Sequence, residues 1–127
     1  MELAEYFKKA KGVSILSTAD SQGKVNAAIY GPPHFMTEDT VAFIAADRLT
    51  HANLLVNPSA VYLFKEDGSY EGRRLYLTKT HEEKDSPLID EIRRHKNKKA
   101  AGDVKTESKF LIYFTIDKVL PLIGDGQ

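Results

Sequence analysis

The residues of this chain best suited to bind a charged ligand lie between positions 41 and 58, in the segment VAFIAADRLTHANLLVNP. A short apolar run ends in Ala45-Ala46-Asp47-Arg48, and a helix is predicted to start at Thr50. This order leads a strand to a helix N-terminus, whose free backbone N–H groups and partial positive charge favour an anion such as a phosphate ester. The segment therefore predicts a site for the phosphate of a nucleotide.

The same residues have a second interpretation. Thr50 and Asp47 belong to residue types that cap helices in any protein. Arg48 is equally compatible with an ordinary solvated arginine. The local pattern alone leaves an anion site and a simple helix cap both open.

Length and composition predict a single domain over residues 1–127 and limit its chemistry. Lys plus Arg and Asp plus Glu both count 18, so no overall field favours nucleic acid or an anionic membrane as a partner. The chain has no cysteine, which excludes disulfides, thiolate catalysis and iron–sulfur clusters. Redox chemistry in this chain therefore requires a bound cofactor.

Cellular location and metal binding are also addressed by the sequence. The N-terminal segment MELAEYFKKAKG alternates charged and apolar residues, and no run approaches membrane-spanning length, so we expect a cytoplasmic protein. The four histidines, His34, His51, His81 and His95, do not share a ligand spacing, and no metal site is assigned.

The pattern along the chain predicts mainly β structure with inserted helices. Strands are predicted at 13–19, 24–30, 35–36, 41–45, 60–65, 73–81 and 110–116, and helices at 2–10, 50–56 and 86–101. About six short antiparallel strands with helices inserted favour a partly closed barrel over a doubly wound sheet. The basic run 93–99 is interpreted as a solvated helix end in preference to a nucleic-acid contact.

The strand at 24–30 follows the turn Asp20-Ser21-Gln22-Gly23 and has two distinct faces. Val25, Ala27 and Ile29 share one face, and Asn26, Ala28 and Tyr30 share the other. We expect one face to join the core and the other, which is small and polar, to meet a ligand. Tyr30 is equally consistent with a core aromatic.

In order, these segments resemble the pyridoxamine-phosphate-oxidase-like FMN-binding split-barrel family, and in particular its small bacterial FMN-binding proteins. The resemblance runs from about Glu2 to Ile123. It rests on STADSQGKVNAAIY, VAFIAADRLTHANLLVNP, AVYLF, GRRLYLTKT and LIYFTIDKVLPL. The most specific parts are Thr50-His51-Ala52-Asn53, which resembles a Thr-x-x-Asn helix start, and Asn57-Pro58 leading into a strand. The resemblance implies a six-stranded antiparallel split β-barrel that binds FMN.

The resemblance also implies positions for the cofactor contacts. The strand beside the flavin ring corresponds to Asn26, Ala27, Ala28, Ile29 and Tyr30. The loop along the ribityl chain and phosphate corresponds to Ala45, Ala46, Asp47 and Arg48. Thr50 matches a phosphate-binding hydroxyl, Asn53 an asparagine one turn later, and Arg73 or Arg74 a contact from a partner subunit. Many relatives carry Lys or Arg at or just before the Thr50 position, where this chain has Leu49, so Arg48 must supply most of the positive charge.

The resulting expectation is a homodimeric flavoprotein with non-covalent FMN between two barrels, acting as an oxidoreductase or electron carrier. A nicotinamide or a protein is the expected electron donor, and no catalytic side chain is assigned. The apolar strand FLIYFTI supports a dimer, because Leu111 and Tyr113 require cover beyond one barrel's own core. The C-terminal PLIGDGQ has no basic residue for a substrate phosphate, which argues against pyridoxamine-phosphate oxidase activity itself. The alternative is a non-catalytic module that holds flavin, haem or a deazaflavin in the same groove.

Overall fold

A computed structural model describes residues 2–96 and 109–125 of the chain. The helices are α1 (Leu3–Lys9), α2 (Leu49–Val56) and α3 (Pro87–Lys96). The strands are β1 (Gly12–Ala19), β2 (Val25–Ile29), β3 (His34–Phe35), β4 (Thr40–Ala46), β5 (Ser59–Glu66), β6 (Gly72–Lys84) and β7 (Lys109–Pro121). No helix in the described ranges is long and apolar enough to cross a bilayer.

The seven strands form one sheet in the order β2-β1-β5-β6-β7-β4-β3, and every neighbouring pair is antiparallel. This confirms the predicted mainly β class with inserted helices. The resemblance implies six strands. The seventh is the two-residue β3, which corresponds to the strand predicted at 35–36 and pairs with β4 across the turn at 36–39. The hairpin β1–β2 closes through Gly23, whose φ of 84° lies in the left-handed region that glycine adopts without strain.

The sheet curls around an aromatic core. The ring centroids of Phe43 on β4 and Tyr62 on β5 are 5.1 Å apart, although two strands lie between β4 and β5 in the sheet order. Phe7 of α1 packs on Tyr62 and Phe64 and covers one end of this core. The curl brings β2, at one edge of the sheet, close to β4, which lies near the other edge. The ring centroid of Tyr30, the residue after β2, is 6.2 Å from that of Phe43.

The two faces of β2 differ from the expected arrangement. Asn26 and Ala28 stand opposite the buried Thr18 and Leu16 of β1 and therefore share their inward face. The more apolar face turns outward, where Val25 is 82% and Ile29 70% exposed. β2 therefore presents its small and polar face inward and leaves its branched aliphatic side chains uncovered.

The expected cover of β7 by a partner subunit is wrong, because this chain supplies the cover itself. Leu111 and Tyr113 are buried in a second cluster with Ile89 and Ile92 of α3 and Ala42 of β4. The amphipathic helix α3 lies over the face of β7 that is opposite the main core. FLIYFTI therefore gives no argument for a dimer.

Most predicted elements are confirmed within a few residues. The largest difference is β7, which continues to Pro121, beyond the predicted end at 116. It continues because its residues 118–121 pair with residues 73–76 at the start of β6. The predicted helix at 86–101 begins at Pro87, but its last residues, which include 97–99 of the basic run 93–99, lie outside the described residues.

The second cluster makes a prediction about stability. Ile92 is 5% exposed between α3 and β7, so Ile92→Ala should lower the free energy of unfolding by about 2–4 kcal/mol through lost contacts and a residual cavity. Urea denaturation followed by circular dichroism measures this change. Ile123→Ala is the matched control, since Ile123 is 67% exposed and its truncation should have little effect. Equal effects of the two substitutions would contradict the covering role of α3.

Candidate functional site

A groove of about 430 Å³ lies where β2, the end of β4 and the start of α2 meet. Its lining residues come from the two segments that the sequence analysis selected and from their immediate neighbours. They are Asn26, Ala28, Ile29, Tyr30, Gly31, Ile44, Ala46, Arg48, Leu49 and Thr50. The fold therefore brings seven of the predicted cofactor contacts together, namely Asn26, Ala28, Ile29, Tyr30, Ala46, Arg48 and Thr50.

The N-terminus of α2 forms one end of the groove. Arg48 occupies the position that precedes the helix, and no side chain of the described residues caps this end. Asp47 bonds to the ring of His51 instead of to a backbone N–H group. The capping interpretation of Thr50 and Asp47 therefore has no support here, and the first turn of α2 retains backbone donors for an anion.

Two hydroxyl groups meet beside this helix end. Thr50 is 5% exposed, and its side chain is hydrogen-bonded to the hydroxyl of Tyr30. Burial raises the pKa of Tyr30, and the hydrogen bond from Thr50 offsets only part of this shift. Tyr30 is therefore a neutral hydroxyl that can donate as well as accept at the groove. It also packs edge-on against Phe43, as the core-aromatic interpretation of Tyr30 requires, and its contact with a ligand stays a prediction.

The walls of the groove are small and its charge is positive. Ala28 and Ala46 leave room for a flat group to approach the backbone closely. Arg48 is exposed at the rim and is the charged side chain among the described residues that line the groove. Together, the cation, the two hydroxyls and the helix end concentrate donors at one end of an otherwise apolar groove. This arrangement suits a flat apolar molecule with an anionic tail.

A charged network anchors the helix that carries Thr50. His51 is 3% exposed, and its ring stacks on Phe110 with centroids 3.7 Å apart. Its Nδ1 atom lies 3.0 Å from Asp47 Oδ1, and its Nε2 atom lies 2.9 Å from Glu82 Oε2. Lys79 Nζ completes the network, 2.7 Å from Glu82 Oε1. The network ties the start of α2 to β6 and β7.

Glu82 is the carboxylate on which this network converges. Burial raises the pKa of Glu82, but the hydrogen bonds from His51 and Lys79 lower it by more, so the pKa lies below its ordinary value of 4.5. The ionised form of Glu82 is therefore the form that the folded protein stabilises.

Four predicted contacts near the groove do not line it. Ala45 is 2% exposed within the core, and Ala27 faces outward from β2. Asp47 is directed to His51, with a side chain that is 68% exposed. Asn53 is buried, and its Nδ2 atom donates to Thr18 Oγ1 over 3.0 Å, which fixes α2 on β1. Within this chain these residues support the groove or border it.

Arg73 and Arg74 lie on β6, outside the groove of their own chain. The Arg73 guanidinium stacks 4.0 Å from the ring centroid of Tyr6. Arg74 donates from Nε to the Pro121 carbonyl oxygen over 2.9 Å and from Nη2 to the Gly124 carbonyl oxygen. Their predicted contact with a cofactor of the partner subunit stays a prediction.

Three lining residues were not predicted as contacts. Ile44 lies two positions before Ala46 on β4, so strand alternation places both on one face and was a usable signal. Leu49 was considered only as the site of a missing cation, and Gly31 only as the end of a strand. Their part in the groove depends on how α2 and the segment after β2 pack, which the sequence pattern does not specify.

Comparison with known proteins identifies the fold. No protein-family model matches this chain, and no curated protein matches it in sequence. Solved structures do match over nearly its whole length. An FMN-binding protein from Syntrophomonas wolfei subsp. wolfei has a TM-score of 0.78 at 21% identity, covering 97% of this chain and 85% of that one.

Two further similar structures carry different descriptions. HutZ, the haem storage protein of Vibrio cholerae, has a TM-score of 0.69 at 18% identity and covers 94% of this chain and 91% of its own. A protein of the pyridoxinephosphate oxidase family from Clostridium acetobutylicum has a TM-score of 0.63 at 12% identity, with coverage of 93% and 84%. The predicted fold is therefore confirmed: this chain has the split-barrel fold that these proteins share.

The charged network predicts a pH-dependent stability. Because the pKa of Glu82 is lowered on folding, its contribution is complete above the unfolded value near 4.5 and is lost as the pH falls through the lower folded value. Glu82→Gln should therefore destabilise the protein by about 1–3 kcal/mol at pH 7, and this difference should shrink as the pH falls below 4.5. Chemical denaturation at a series of pH values measures both effects. Glu38→Gln, at an exposed position, is the control, and a pH-independent difference for Glu82→Gln would contradict the assignment.

Proposed function

We propose that this protein binds FMN non-covalently in the groove between β2, β4 and α2, and that it is a flavin-dependent oxidoreductase or electron carrier of the cytoplasm. The observation that carries the proposal is the convergence of the uncapped start of α2, the Thr50 hydroxyl and Arg48 at one end of a small-walled groove. The similarity of the fold to an FMN-binding protein supports the same ligand.

The residues of the groove match the parts of FMN. Backbone N–H groups at the start of α2, Thr50 and Arg48 would hold the phosphate. Ala28 and Ala46 would flank the ring system, and Asn26 offers an amide to its polar edge. The volume of about 430 Å³ lies within the range of small-ligand pockets.

The chemistry follows from what each component supplies. Bound FMN would supply electron or hydride transfer, which a chain without cysteine does not provide through its own side chains. The protein's contribution is orientation: Tyr30 and Thr50 remain neutral hydrogen-bonding groups, and the strand backbone beside Ala28 fixes the plane of a bound ring. A nicotinamide or a protein would serve as the electron donor.

The groove is also the place where we propose a second subunit. Ile29 and Leu49 line it and are 70% and 56% exposed, and Val25 extends the same apolar surface along β2 with 82% exposure. Such a surface beside a half-open groove is characteristic of a protein interface. A two-fold homodimer would cover these side chains and enclose the ring, and Arg73 or Arg74 of the partner is the candidate for an additional contact.

A haem-binding or storage function is the second candidate. It is favoured by one observation, the similarity of the fold to the haem storage protein HutZ. Haem propionates could use the same donors as a phosphate. The described lining of the groove, however, contains no His, Cys or Met to ligate haem iron, which favours FMN over haem. A deazaflavin, or flavin held without turnover, would use the same groove.

The ligand can be tested directly and by variants. Purified protein should be yellow and release FMN on denaturation, as measured by visible absorbance and mass spectrometry, whereas haem uptake by colourless protein would favour the second candidate. Thr50→Ala combined with Arg48→Ala should weaken FMN at least tenfold, or about 1.4 kcal/mol, with the fold retained. Riboflavin, which lacks the phosphate, should bind both proteins with similar affinity in the same fluorescence titration.

The control for that test is Thr37→Ala combined with Lys84→Ala, which removes a hydroxyl and a positive charge at exposed positions outside the groove. This pair should retain FMN. If the Thr50 and Arg48 variant also retains FMN, or loses riboflavin to the same degree, the phosphate does not bind at α2.

The proposed dimer has its own test. Val25→Asp combined with Ile29→Asp should convert a dimer to a monomer, because both carboxylates would lose hydration at the interface. Sedimentation velocity measures this change, and FMN affinity should fall with it. Ile123→Asp introduces the same charge at another exposed apolar position and should leave the dimer intact. A wild-type monomer at micromolar concentration would contradict the interface.

A further inference from the structure

A second cavity, of about 960 Å³, opens beside the groove. It lies between α1, the segment after β2, the middle of β4 and α3. Tyr30, Gly31 and Ile44 line both spaces, so the two are separated by only a few side chains. Its volume is at the upper end of the range for small-molecule sites.

Aromatic rings form much of the inner wall of this cavity. Phe7, Phe43 and Phe64 belong to the main core and present part of their rings to the cavity, and Phe35 borders it from β3. The wall formed by Gly31 is held in place, because Tyr62 Oη donates to the Gly31 carbonyl oxygen over 3.0 Å. The inner part therefore suits a flat or aromatic apolar body.

The outer part of the cavity is positively charged. Lys8 and Lys11 line it from the end of α1 and the following turn, and Arg93 lines it from α3. No Asp or Glu is among its described lining residues. Within residues 2–96 and 109–125 the side chains of Lys8 and Lys11 form no ion pair, so both remain available to an anion. Because these groups converge on one opening of an overall neutral protein, the charge is local to the cavity.

We propose that this cavity binds a small molecule with an aromatic or similarly flat apolar body and a carboxylate or other anionic group. The apolar body would lie against Phe35 and Phe43, and the anionic group would lie near Lys8, Lys11 and Arg93. Its role as the molecule that reacts at the neighbouring flavin rests on the proposed function, whereas its binding does not.

The test uses a matched pair of probes on the full-length protein. 2-Naphthoate carries the aromatic body and the anion, and 2-naphthamide carries the same body without charge. Calorimetric titration should show tighter binding of naphthoate, and added salt should weaken naphthoate alone. Lys8→Ala combined with Lys11→Ala should weaken naphthoate by about three- to tenfold and leave naphthamide unchanged.

Lys9→Ala combined with Lys24→Ala is the control, since it removes the same total charge from exposed lysines that do not line the cavity. It should retain naphthoate affinity, and amide chemical shifts should change near Gly12 and Phe35. Equal affinity for the two probes, an equal loss in the control variant, or shifts confined to the Val25 surface would overturn the inference.

This experiment distinguishes a failure of the cavity proposal from a failure of the proposed flavin site. Naphthoate binding that depends on Lys8 and Lys11 in a protein that takes up no FMN would support the cavity and refute the flavin site. FMN binding in a protein that shows no preference for naphthoate over naphthamide would support the flavin site and overturn the cavity assignment.

Discussion

The structure depends on the curl of its sheet, which the packing of Phe43 against Tyr62 maintains. These rings belong to β4 and β5, which have β6 and β7 between them, yet their centroids are 5.1 Å apart. In a flat sheet β2 and β4 would be far from each other near opposite edges. Because the core draws the sheet around itself, Tyr30 reaches Phe43, and the inward face of β2 faces the end of β4. The groove is therefore a consequence of core packing, and aliphatic residues in place of these rings would alter the groove as well as stability.

The helix at the end of the groove is positioned by side-chain contacts with three different strands. Asn53 binds Thr18 of β1, and His51 bonds to Glu82 of β6 and stacks on Phe110 of β7. Each contact lies on the buried side of α2 and leaves the N-terminal turn without a side-chain cap. A capped helix of this length would have fewer backbone donors to offer a ligand. The buried network thus fixes the orientation of α2 without using the donors at its start.

The sequence predicted most elements of the fold because local patterns determine them. Alternation identified β1, β2 and β5, and the Asn57-Pro58 pair identified the end of α2. The pattern alone could not predict which face of β2 turns inward, because the apolar side chains of Val25 and Ile29 are of the types that form cores. The cover of Leu111 by α3 was missed for a related reason: apolar residues on two faces of β7 show that cover exists, but not which segment supplies it.

The sequence predicted the segments of the candidate site about as well as it predicted the elements of the fold. The segment order located β2, the end of β4 and α2, and these three do meet at the groove. The sequence did not predict which of the selected side chains face the groove. Ala45 and Ala46, for example, are adjacent in sequence but lie on opposite faces of β4. No sequence motif predicts the contact of His51 with Glu82, because the two residues are 31 positions apart and their contact depends on the register of β6. Long-range polar contacts of this kind depend on the completed fold.

The exposure of β2 connects the architecture with the proposed assembly. β2 is an edge strand, and natural edge strands are commonly protected by charges, by proline or by a covering segment. The outward face of β2 instead carries Val25 and Ile29, while its inward face lines a groove that stays open on one side. Burying one such side chain is worth about 1.5–3 kcal/mol, so leaving both in water is unfavourable unless another surface covers them. A single two-fold contact at this edge would cover the aliphatic side chains and close the groove, so the exposed face of β2 and the open side of the groove would be two parts of the proposed interface.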